Sequence, residues 1–182
     1  MEPQDKKIRK IKMRKLLFIA ALLIGFNAHA QYFVSIMPAL TSSSGSFQQK
    51  GNLSLEVGKQ WDCFSIGFDI GETNFTYNPI KDKSLYFECR PNINVFQQGK
   101  FTNTITTGIG ILPYYNELLI ESTVGIEYSY SETLHINLMC GQFNYSGGQR
   151  TTSETQPFFG VSIVRYFKGY NPKSLIVQPI QK

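Results

Sequence analysis

One tryptophan, three cysteines and two histidines are all that this 182-residue chain offers of its scarcest residues. Only one histidine, His135, lies beyond residue 30, and a single imidazole cannot assemble a usual zinc site. Cys63, Cys89 and Cys140 follow no zinc or redox spacing. No glycine-rich phosphate loop is present. No apolar run is longer than the eleven residues 16–26, whereas a membrane-spanning helix needs about 20. A helical membrane protein is thereby excluded. Charge of one sign is also missing from most of the chain. The net +5 belongs wholly to residues 1–30, with seven basic and two acidic side chains, and residues 31–182 carry eleven of each. A phosphate backbone would need a basic footprint, so nucleic acid is not an expected partner.

What is present starts with export. A basic cluster at residues 6–15 precedes the apolar run, and Ala28-His29-Ala30 precedes Gln31. Positive region, apolar region and A-x-A site are the parts of a secretory signal peptide. Cleavage after Ala30 leaves one domain by length. Met13-Arg14-Lys15-Leu16 opens a leader of ordinary form as well, which makes Met13 an alternative start. No cysteine sits at the cleavage site to carry a lipid anchor.

Beyond residue 31 the dominant signal is a period of two. Leu85, Phe87, Cys89, Pro91, Ile93 and Val95 alternate with Ser84, Glu88, Arg90, Asn92 and Asn94. Leu118, Ile120, Val124, Ile126 and Tyr128 alternate with Glu117, Glu121, Thr123, Gly125 and Glu127. A helix would repeat at three and four, so these are strands with one apolar and one polar face. The same pattern predicts eight strands, at 31–41, 52–61, 64–71, 84–96, 101–112, 117–130, 134–145 and 158–167. The first is the weakest, because Pro38 breaks its run. Connections at 42–51, 72–83 and 146–157 are long and 113–116 is intermediate. Those at 61–62, 97–100 and 131–133 are tight.

Long and short connections alternate, with both chain ends on the short side, as in outer-membrane barrels. Alternation alone leaves the orientation open, since a lipocalin-like soluble barrel turns its apolar face inward. Three features favour apolar-out. The polar face is Ser, Thr, Gly, Asn and carboxylate with almost no Lys, unlike a soluble surface. It is also rich in small residues, which suits a narrow interior. Aromatics gather near strand ends, at Phe64, Phe96, Phe101, Tyr114, Tyr115, Tyr128, Tyr130, Tyr145 and Phe167, as membrane girdles require. The expected fold is an all-β, eight-stranded antiparallel up-and-down transmembrane β-barrel.

On leader, strand count, loop alternation and the aromatic-ended segment 158–167 (FFGVSIVRYF), the chain resembles the small eight-stranded outer-membrane barrels of the OmpX/OmpA type. The leader ending Ala-His-Ala-Gln resembles those common in Bacteroidetes. In that family the terminal aromatic usually ends the chain, whereas here residues 168–182 follow. The expected organisation is a signal peptide at 1–30, an outer-membrane barrel at 31–167 and a periplasmic tail at 168–182.

Candidate chemistry reduces to the polar face, where Glu56, Asp69, Glu88, Arg90, Glu121 and Glu127 stand. Paired carboxylates can do acid–base work, but Glu121 and Glu127 sit about 20 Å apart at strand rise. The reading favoured is an interior charge network in which Arg90 pairs with Glu88, Glu121 or Asp69, since buried charges must be paired or protonated. His135 falls on the polar face at the short-turn end, which suits interior hydrogen bonding. Gly108 and Gly110 relieve crowding inside a strand, and Gly147-Gly148 reads as a loop tip. Cys89 and Cys140 fall on apolar faces of non-adjacent strands and read as small apolar residues. Pairing of two of the three cysteines is the other reading. No catalytic, cofactor or metal site is expected.

The function expected is non-enzymatic: a structural, adhesive or surface-interaction role in the outer membrane. Its partners would be membrane lipid and an extracellular or envelope protein met through loop aromatics such as Phe47, Phe75 and Tyr77. The alternatives are a soluble periplasmic lipocalin-like barrel holding an apolar ligand, and a barrel accessory to a secretion or transfer machine.

Overall fold

The computed structural model describes residues 30–42, 49–74, 83–148, 154–167 and 173–178. Eight strands follow one another: β1 (Gln31–Ser42), β2 (Gln49–Trp61), β3 (Phe64–Asn74), β4 (Lys83–Gln98), β5 (Phe101–Leu112), β6 (Glu117–Ser129), β7 (Leu134–Gly147) and β8 (Glu154–Tyr166). Each pairs antiparallel with the next, and β8 returns to β1. The result is a closed up-and-down barrel, which satisfies strand hydrogen bonds without leaving a sheet edge. Strands of 11 to 16 residues exceed the roughly 9–11 that a tilted strand needs to cross a bilayer core. Among the described residues no helix is long and apolar enough to cross a membrane.

The barrel is inverted relative to a soluble protein. Buried positions are largely polar: Ser35, Thr104, Thr106, Glu121, Asn137 and Ser162 among them. Exposed positions carry the large hydrophobics, with Phe68 and Ile109 each 64% exposed. On β5 the alternation is perfect from end to end. The inward-facing apolar cavity that a lipocalin-like barrel requires is therefore not what this chain builds.

The strands that flank the long connections run further into them than the sequence pattern marks, which shortens these to 43–48, 75–82 and 148–153. Pro38 does not break β1, because β2 pairs with it throughout. On the β8 side the ladder skips Met37 and Pro38, as the missing proline N–H requires. The β4–β5 ladder likewise skips Arg90 and Pro91. A bulge between Asn94 and Phe96 inserts one residue and resets the phase. It takes Val95 out of the apolar row and sets Phe96 opposite the outward-facing Asn103. The two-residue turns need special backbone, supplied by Asp62 at φ 43° and Gly99 at φ 61°. Asp and Gly are among the few residues that tolerate that region.

An unexpected element follows the barrel. Within the tail, β9 (Ile176–Gln178) pairs in parallel with Phe96–Gln98 of β4. Residues 1–29 of the segment expected to be a signal peptide, and the loop aromatics Phe47, Phe75 and Tyr77, lie outside the described residues.

Candidate functional site

The strand pairing lays carboxylates in a row. Glu56 on β2 faces Asp69 on β3, and Asp69 faces Glu88 on β4. Like charges directly opposite are unfavourable, and the interior answers them with Arg90, one inward position along β4. Arg90 is 3% exposed and Glu121 fully buried. The guanidinium donates from Nε and Nη2 to the two oxygens of Glu121, at 2.7 and 2.8 Å. Its Nη1 donates to Glu56 at 2.8 Å. A planar fork on a carboxylate is the strong, directional form of ion pair.

Glycines make this reach possible. Arg90 sits on β4, but its partners are on β2 and β6, one strand further on each side. On β5 the intervening inward positions are Gly108 and Gly110, so β5 places no side chain of its own between Arg90 and Glu121. On β3 the residue opposite Arg90 is Gly67, and the Glu56 carboxyl fills the space a Cβ there would take. The Glu88 carboxyl likewise occupies the Cβ space of Gly108.

Among the six residues marked on the polar face, hydrogen bonds link three, and Asp69 and Glu88 lie in electrostatic contact with Arg90. Arg90, Glu121 and Glu56 are joined directly, with Thr123 donating to Glu121 at 2.6 Å. Glu56 was not among the partners the sequence suggested for Arg90, and the guanidinium donates to neither Asp69 nor Glu88. Asp69 accepts instead from the Tyr86 hydroxyl at 2.7 Å. Glu88 takes nothing from the guanidinium and lies within hydrogen-bond reach of Glu121 instead. Glu127 stands apart, 2.8 Å from Nδ1 of the fully buried His135, whose ring packs edge-on to Tyr166 at 4.8 Å.

Two apolar layers bracket the charged middle. Tyr86, Leu112, Leu119, Phe143, Tyr145 and Phe158 pack inside the long-loop end, with Ala39 beside them. Phe143 stacks on Phe158 at 4.5 Å. Phe33, Val164 and Tyr166 form a smaller cluster at the short-turn end. Tyr145 was expected in the outer girdle; it is fully buried inside the barrel. The sequence signal for the inner layer was weak but present. Tyr86, Leu112, Leu119 and Phe143 are apolar residues at polar-face parity, all near the long-loop ends.

Between the layers lies a cavity of about 40 Å³, lined by Glu56, Gln60, Arg90, Asn92, Asn137 and Tyr166 among others. At roughly 10–15 Å³ per water it has room for a few waters, not for an organic ligand. Among the described residues no group of three or more His, Cys, Asp or Glu is arranged to hold a metal. Cys63, Cys89 and Cys140 are free thiols, and Cys140 is exposed on the outer wall.

A closed eight-stranded antiparallel barrel, polar and filled within and apolar without, has the architecture of the small outer-membrane barrels. Among solved structures it is similar to Neisserial surface protein A (NspA), with a TM-score of 0.53 at 10% identity, over 76% of this chain and 97% of that one. Ail, the attachment invasion locus protein of Yersinia pestis, is matched over 76% of this chain and 97% of its own at 8% identity, with a TM-score of 0.37. No family model matches the chain, and no curated protein matches its sequence. At such identity the likeness to NspA is one of fold alone.

Proposed function

We propose that this protein is a non-enzymatic barrel of the outer membrane with a structural, adhesive or surface-interaction role. It is exported by residues 1–30 and seated with its longer connections outward. The observation that carries the reading is the inversion of the barrel wall. Side chains such as Phe68, Ile109 and Val124 stand more than half exposed on strands paired edge to edge around a closed ring, which is what a lipid solvent selects. The interior favours a scaffold over a pore or an enzyme, because its ionisable groups are turned on one another beneath a packed aromatic layer. Surface contacts therefore fall to the connections at the long-loop end.

The test is fractionation followed by gel mobility with and without boiling. A band in the outer-membrane fraction that shifts on heating supports the proposal. A band confined to the soluble periplasm overturns it.

A further inference from the structure

At the short-turn end β4 outruns its neighbour. β3 begins at Phe64, opposite Ile93, whereas β4 continues to Gln98. One edge of that overhang pairs with β5. The other would be an open strand edge, a template for stray pairing.

We infer that this edge is a strand-acceptor site whose occupant is the chain's own tail, residues 173–178, acting as a strap across the short-turn end of the barrel. The contacts are specific in register. Ile176, Val177 and Gln178 pair with Phe96, Gln97 and Gln98. The N–H of Leu175 donates to the Asn94 carbonyl at 3.0 Å, and Nδ2 of Asn94 donates to the Lys173 carbonyl at 3.2 Å. Nζ of Lys173 donates to Asp62 at 2.8 Å, which fastens the tail to the β2–β3 turn as well. On the far side, the Phe167 N–H donates to the Tyr32 carbonyl, fixing the end of β8 to β1. β8 and β4 stand four strands apart in either direction around the ring. Phe167 and Lys173 are six residues apart, a reach of at most about 20 Å, so the tail joins opposite walls. β9 runs in the direction of β4, away from the barrel, and extends the sheet beyond the wall. The strap needs only the fold and holds independently of any surface role.

Two measurements on the full-length folded protein test it. In a background with Cys63, Cys89 and Cys140 changed to Ala, Gln97→Cys with Val177→Cys should form a disulfide under mild oxidation. The out-of-register pair Gln97→Cys with Ser174→Cys, three residues off the paired position, should form it roughly tenfold more slowly, as distance and direction limit disulfides. Separately, Leu175→Pro removes the N–H given to Asn94. It should speed tryptic cleavage after Lys173 by about tenfold or more, since cleavage follows local opening, while the barrel keeps its heat-dependent gel shift. Equal cross-linking of the two pairs, or equal cleavage of Leu175→Pro and the native chain, would overturn the strap. If the cysteine variants do not fold, the cleavage rates decide.

Discussion

Replacing Arg90 with Leu tests the interior most sharply. The change removes three donors at once: two to Glu121 and one to Glu56. Glu121 is fully buried and would keep Thr123 as its neutral donor, with Glu88 against it and Asp69 in the same row. Removing one partner of a buried pair typically costs about 3–5 kcal/mol, because the other charge is left uncompensated. At about 1.4 kcal/mol per tenfold, the folded-to-unfolded ratio at a fixed urea concentration should fall by roughly two to three and a half powers of ten. The assay is reversible urea unfolding in phospholipid vesicles, followed by tryptophan fluorescence from Trp61 and by gel mobility. Glu88→Gln is the informative opposite. Glu88 takes nothing from the guanidinium and faces Asp69 directly, so the isosteric amide should be harmless or stabilising by about 0.2–1 kcal/mol. The reasoning is refuted if Arg90→Leu moves the unfolding midpoint no more than Glu88→Gln does.

Gly67→Ala places a methyl group where the Glu56 carboxyl lies. It should cost about 1–3 kcal/mol, less than Arg90→Leu because the fork on Glu121 survives; Gly51→Ala, which meets nothing, is the control in the same urea titration. Leu119→Ala should cost about 2–5 kcal/mol as a buried truncation in the loop-end layer, and unfolding curves that superimpose on the native ones would contradict that layer's role.

Much of the barrel is legible in the sequence because lipid and a narrow lumen impose a strict period of two. Leu85, Phe87 and Cys89 against Ser84, Glu88 and Arg90 cannot be read as a helix, and the same rule marks all eight strands. What escapes the rule depends on neighbours that a single strand does not reveal. The bulge at Asn94–Phe96 follows from pairing with β5, so Val95 reads in the sequence as the next member of a row that has already turned. An aromatic at a strand end, such as Tyr145, looks alike whether it girdles the outside or plugs the inside. The reach of Arg90 to Glu56 needs the register that sets it opposite Gly67. The three residues of β9 carry no alternation long enough to register as a strand.

The central claim is that the outer wall faces lipid, and the native thiols test it directly. Cys140 is exposed on the outer wall in the middle of β7, Cys89 faces outward on β4, and half-buried Cys63 lies in the β2–β3 turn. Native membranes, opened so that both faces are accessible, would be treated with a charged, water-soluble maleimide, and each cysteine's labelling read by mass spectrometry. Cys63 should label first, whereas Cys140 and Cys89 should label only after denaturation or with a lipid-soluble reagent. Cys140 labelling faster than Cys63, the order that exposure to water would give, would contradict the claim.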